Sequence, residues 1–210
     1  MKKADPDLRR IAVRLAEVLG PDRCLVVGTL AVAVHGYPHA TDYVELLTRL
    51  DLKEVRKLLR AGGIDTLPQR RNGLAEGWPS VHGTLAGTRF EILPELVPLQ
   101  WDHAVSLSMG GAVLRIIDLD GLLRLKLRAG GPQDLMDAAH LILQHPDRIA
   151  AAREAARAYR LEEKLDTWLN DPRTRSQVEG ELRARGAEGR DVLDQLAKLL
   201  LRSSSRRKES

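Results

Sequence analysis

The chain has 210 residues, 43% hydrophobic and 30% charged, with a formal net charge of +4. This length serves one large domain or two small ones. Aromatics make up only 3%, so Leu, Val, Ile and Ala must build the core; residues 202–210, with four bases and one acid, carry three of the four net charges. Overall charge therefore gives no argument for a nucleic-acid partner, which only clustered Arg and Lys could supply. The single Cys24 excludes an internal disulfide and a cysteine-based zinc site. No apolar run reaches membrane-spanning length and no secretion signal pattern is present, so a cytoplasmic, bacterial-type protein without a membrane partner is expected.

Residues 7–19 read as an amphipathic helix with Leu8, Ile11, Leu15, Val18 and Leu19 on one stripe. Asp5 and Pro6 open it and Gly20-Pro21 ends it. The next run, Leu25-Val-Val-Gly28-Thr29, is a strand ending in a glycine turn, and a small-residue helix follows it to Gly36. In His39-Ala-Thr41-Asp42-Tyr43-Val44-Glu45-Leu46-Leu47 acidic and apolar residues alternate as on a strand. A helix over 51–60 closes at Gly62-Gly63, and residues 64–79 are irregular. Residues 81–85 and 88–93 form a hairpin through Ala86-Gly87, with Glu91 on its second strand. A strand over 113–117 leads into a helix over 119–129 capped by Asp118, and a further helix covers 133–143. Three polar helices are expected over 147–169, 174–185 and 189–202, followed by a disordered tail.

The strand, glycine turn, helix and second strand of residues 25–47 resemble the nucleotidyltransferase superfamily of the DNA polymerase beta-like fold. Its minimal nucleotidyltransferase and AbiEii-type toxin branches are the most similar. Their second strand carries Arg-x-Thr-x-Asp-x-Asp. Aligned on Thr41 and Leu46-Leu47, the metal positions fall on Tyr43 and Glu45, the arginine position on His39, and the third carboxylate on Glu91. A second piece, from Leu125-Lys126 to Asp134 and Asp137, is similar to the family's Lys-Leu-x-Ala-Gly-Arg-x-x-Asp-x-x-Asp, with Gly131 in place of the arginine.

The resemblance implies an α+β fold: a mixed sheet flanked by helices over residues 1–130, a helical C-terminal region over 131–202, and a basic tail over 203–210. It implies nucleotide transfer from an NTP with Mg²⁺ to RNA or another hydroxyl acceptor. RNA or tRNA and an antitoxin-like protein are the implied partners. Gly28, Thr29, His39, Thr41 and Lys126 would contact the nucleotide, and Glu45 and Glu91 the metal. Two carboxylates two residues apart on a strand share a face, which is why such a motif suits a hard cation. Tyr43 breaks that pair, because a phenol is neutral at pH 7 and a poor Mg²⁺ ligand. Asp42 lies one residue out of register and would need a bulge to replace it. The expectation is weakened or lost transfer, the alternative being an inactive relative that binds nucleotide or a protein. In the bland readings Gly28-Thr29 is only a tight turn, Lys126 is a surface lysine, Asp134 a helix N-terminal charge and Asp137 part of a polar face. His35 and His39, separated by Gly36 and Pro38, do not suit a zinc pair.

Overall fold

The computed structural model describes residues 6–67, 79–95, 97–109 and 111–205. By contact density the chain divides into two compact units, Met1–Leu122 and Leu123–Ser210.

In the first unit the apolar stripe of α1 (Pro6–Leu19) is buried at Leu8, Ile11, Leu15 and Leu19. Strand β1 (Cys24–Val26) runs into α2 (Gly28–Val34); β2 (Tyr43–Thr48) then leads to α3 (Leu52–Ala61). Asp51 caps α3 by accepting a hydrogen bond from the Lys53 N–H at 2.7 Å. The hairpin is β3 (Val81–Leu85) and β4 (Thr88–Pro94), as the alternation predicts. Strands β5 (Val105–Met109) and β6 (Ala112–Ile116) form a second hairpin, and α4 (Leu119–Ala129) begins after Asp118.

Among the described residues six strands form one mixed sheet in the order β3-β4-β2-β1-β6-β5. β2 runs parallel to β4 and antiparallel to β1, which in turn is parallel to β6. Register partners on parallel strands share a face, so Val44 and Phe90, then Leu46 and Ile92, line one side together. All four are buried, and α1 packs on β2, β6 and α3. Cys24 is buried as well, and burial pushes its thiol up to about 12, which makes it an inert core residue.

The second unit is helical, built on α5 (Pro132–Gln144), α6 (Ile149–Ala158), α7 (Glu162–Leu169), α8 (Pro172–Ala184) and α9 (Ala187–Ser205). Helix α5 packs against α7, α8 and α9, and Leu135, Leu141, Leu165, Leu169, Val178 and Leu182 are buried.

Three expectations are corrected. Strand β5 was not anticipated: it carries no charge, and its Ser106 and Ser108 give a weak apolar signal. The single helix expected over 147–169 is two, α6 and α7, because Arg160 adopts φ 58° and turns the chain between them. Helix α9 continues to Ser205, three residues into the tail expected to be disordered; the remainder, like most of the irregular 64–79 stretch and the Asp5 cap, lies outside the described residues.

Candidate functional site

Gly28 links β1 to α2 with φ +61°, a left-handed conformation that favours glycine. The preceding Val27 N–H donates to the Glu45 carbonyl at 3.0 Å, which fastens the turn against β2. The Glu45 side chain folds over the turn: a Cβ added to Gly28 would overlap its carboxylate and stand 3.1 Å from its Cβ. Glycine is therefore required here on two counts, its backbone angle and the carboxylate lying against it.

Glu45 and Glu91 are register partners on β2 and β4, so the structure puts these two predicted residues side by side on one face. His82 of β3 is the partner of Glu91 on the other side. A lateral row results: Gly28, Glu45, Glu91, His82. Glu91 is only 5% exposed, whereas Glu45 and His82 are half-buried. His82 Nε2 lies 3.7 Å from Glu91 Oε1 and 2.6 Å from Ser80 Oγ. Because one nitrogen faces both hydroxyl and carboxylate, this is not a Ser-His-acid relay, which uses the two ring nitrogens separately.

The neighbouring row on the same face holds Tyr43, Arg89 and Thr84. Arg89 lies over the Tyr43 ring, 5.8 Å from its centroid. It also pairs with Asp42, Arg89 Nη2 to Oδ2 2.5 Å, with both side chains well exposed. β2 pairs with β4 residue for residue from Tyr43 to Thr48, so no bulge brings Asp42 into the Glu45 row. The Thr41 hydroxyl accepts from the Tyr43 N–H at 3.4 Å, shaping the entry to β2. His39 packs against Tyr37 with ring centroids 5.2 Å apart. His35 caps the end of α2, its Nε2 2.8 Å from the Ile117 carbonyl.

Lys126 belongs to the second unit and is no surface lysine: it is 9% exposed. Its ammonium lies 2.9 Å from Asp134 and 2.8 Å from Asp137, and Asp137 is fully buried rather than on a polar face. Burial alone would lower the Lys126 pKa, but Asp137 and then Asp134 outweigh it and hold the amine above its ordinary value. Gln133 donates to Asp137 Oδ1 at 2.8 Å. The geometry thus commits this cation to two carboxylates of its own unit.

Sequence reasoning passed over Arg89, His82 and Ser80. The hairpin contained the signal for the first two. A two-residue turn at Ala86-Gly87 sets Leu85 opposite Thr88, and counting back places Thr84 opposite Arg89 and His82 opposite Glu91.

The donor set fits one hard divalent cation and not two. Mg²⁺ is commonly held by one or two carboxylates with water and phosphate completing its shell, which Glu45 and Glu91 could supply. A second ion needs a further carboxylate, and the position that would provide it holds the Tyr43 ring beneath a guanidinium. Among the described residues no three His, Cys, Asp or Glu side chains are placed to hold one metal ion.

No family model and no curated protein matches the sequence. Solved structures do. JHP933 from Helicobacter pylori superposes with a TM-score of 0.50 at 11% identity, covering 99% of this chain and 97% of that one. An antigenic nucleotidyltransferase-like protein from Paracoccidioides brasiliensis gives 0.47 at 16% identity, over 79% of this chain and 94% of that one. ANT(2″)-Ia, in complex with adenylyl-2″-tobramycin, gives 0.42 at 10% identity, over 87% and 100%. The fold is α+β, as the resemblance implied, and is similar to that of JHP933. At these identities the likeness extends to the fold alone.

Proposed function

We propose that the chain binds a nucleoside triphosphate beside Gly28-Thr29 and the Glu45–Glu91 pair, and that its nucleotide transfer to an acceptor hydroxyl is weakened or lost. The observation that carries this reading is the register of Glu45 with Glu91, next to the turn at Gly28. Two carboxylates side by side on adjacent strands are the donor type that a hard divalent cation takes, and a polyphosphate would bring such an ion with it. When bound, a Mg²⁺ ion would be held by Glu45 and Glu91 and would neutralise phosphate charge. Tyr43 supplies no charge to that site and leaves the donor set one carboxylate short. Thr41 and His39, at the entrance to β2, are the candidates to contact phosphate or sugar, His39 as a weaker cation than the arginine of the resembling families.

The test is calorimetric titration of ATP and GTP with and without Mg²⁺, combined with incorporation of labelled nucleotide into RNA. Magnesium-dependent binding with little or no incorporation is the expected result. Absence of binding in both conditions would overturn the reading, and rapid incorporation would overturn the part assigned to Tyr43.

A further inference from the structure

We propose that Arg89 is a second positive charge of the polyphosphate site, supplied from the strand beside Tyr43, where the aligned motif would have a carboxylate. The inference rests on the nucleotide-binding reading above and assigns a residue that the sequence motif does not contain. Three observations carry it. Arg89 is the register partner of Tyr43, so the cation arises on the strand beside the missing carboxylate. It lies two residues before Glu91 on β4 and therefore shares its face. Its guanidinium is above the Tyr43 ring, where a neutral phenol tolerates a cation that a metal bound to a carboxylate would repel.

Charge points the same way: a triphosphate carries more negative charge than one divalent ion cancels, so a second cation beside it is favoured. Arg89 is held by an ion pair with Asp42 in which the side chains are 64% and 73% exposed. Such pairs are weak, whereas a guanidinium binds phosphate through paired charge-assisted hydrogen bonds. Among the described residues, Arg56 near this edge of the sheet already donates to the Ser80 carbonyl at 3.4 Å. Exchange of Arg89 from Asp42 to phosphate needs only a rotation of exposed side chains. Tyr43 and Arg89 then work as a unit: the ring removes one metal and seats its replacement.

The experiment is calorimetric titration of Mg·ATP and of AMP into the wild-type chain and the variants Arg89→Ala, Arg89→Lys and Asp42→Ala, with melting temperatures as a fold check. Arg89→Ala should weaken ATP binding by about tenfold or more and AMP binding far less, since the contact is to the outer phosphates. Arg89→Lys should fall between, keeping charge without the bidentate fork. Asp42→Ala removes the competing carboxylate and should tighten ATP binding. Equal loss of ATP and AMP in Arg89→Ala, or wild-type ATP affinity in that variant, overturns the inference and leaves the function standing. If Arg89→Ala fails to fold, an Asp42→Ala variant that binds ATP more weakly than wild type overturns it. A wild-type chain that binds no nucleotide overturns the function and this inference together.

Discussion

Gly28 and Glu45 occupy one another's space: the Glu45 carboxylate lies where a side chain on residue 28 would begin. Gly28→Ala would force a left-handed alanine and displace the carboxylate. A loss of about 1–3 kcal/mol in stability is expected. The double variant Gly28→Ala/Glu45→Ala should recover part of it, because the collision is gone and only the backbone strain remains. Chemical denaturation of the four chains of this cycle measures the coupling; additive losses would show that the two residues do not interact.

Tyr43→Asp places a carboxylate beside Glu45 and under Arg89. Without divalent ions the extra half-buried charge should lower the melting temperature. With Mg²⁺ the melting temperature should rise, since a ligand at a hundred times its Kd contributes about 2.7 kcal/mol. Thermal unfolding with and without Mg²⁺ checks this. A destabilised variant with no response to Mg²⁺ would mean that this strand is purely structural and that the likeness to nucleotidyltransferases ends at the fold.

Lys126→Met should destabilise the second unit by about 3–5 kcal/mol, because it leaves the buried Asp137 without its cation. A Lys126→Met/Asp137→Leu chain should be closer to wild type, because the fully buried charge is gone and the Asp134 that remains is partly exposed. The pH sign follows from the raised Lys126 pKa. Its contribution is fully present below the ordinary lysine pKa and is lost only as pH climbs through the raised value. The stability difference between wild type and Lys126→Met should therefore not shrink between pH 7 and 9. Denaturant midpoints across that range test it.

The β3–β4 turn uses Ala86 at φ 50° and Gly87 at φ 83°. Two positive φ angles are what a type I′ hairpin turn demands, and asparagine accepts the first position better than alanine. Ala86→Asn should stabilise the chain by about 0.5–1 kcal/mol without affecting nucleotide binding. An unchanged or lower melting temperature would contradict this account of the turn.

By itself the sequence determined what is local. The apolar spacing of α1, the Asp51 cap of α3, the turn residues between β3 and β4 and the Gly28 punctuation each act over a few residues, so they can be read along the chain. The strand period also sets which residues share a face of their own strand, whereas Glu45 and Glu91 became candidates through the resemblance to the nucleotidyltransferase motif. Tertiary structure decided which strands are neighbours. That β4 crosses over to pair with β2 in parallel is a non-local choice, and it alone sets Glu45 against Glu91 and Arg89 against Tyr43. The burial of Lys126 was likewise invisible: at helical spacing a lysine among leucines looks like an edge residue, and only the packing of α4 and α5 encloses it with Asp134 and Asp137. Strand β5 exists because β6 offers it an edge, backbone hydrogen bonds making up for a sequence with little preference of its own.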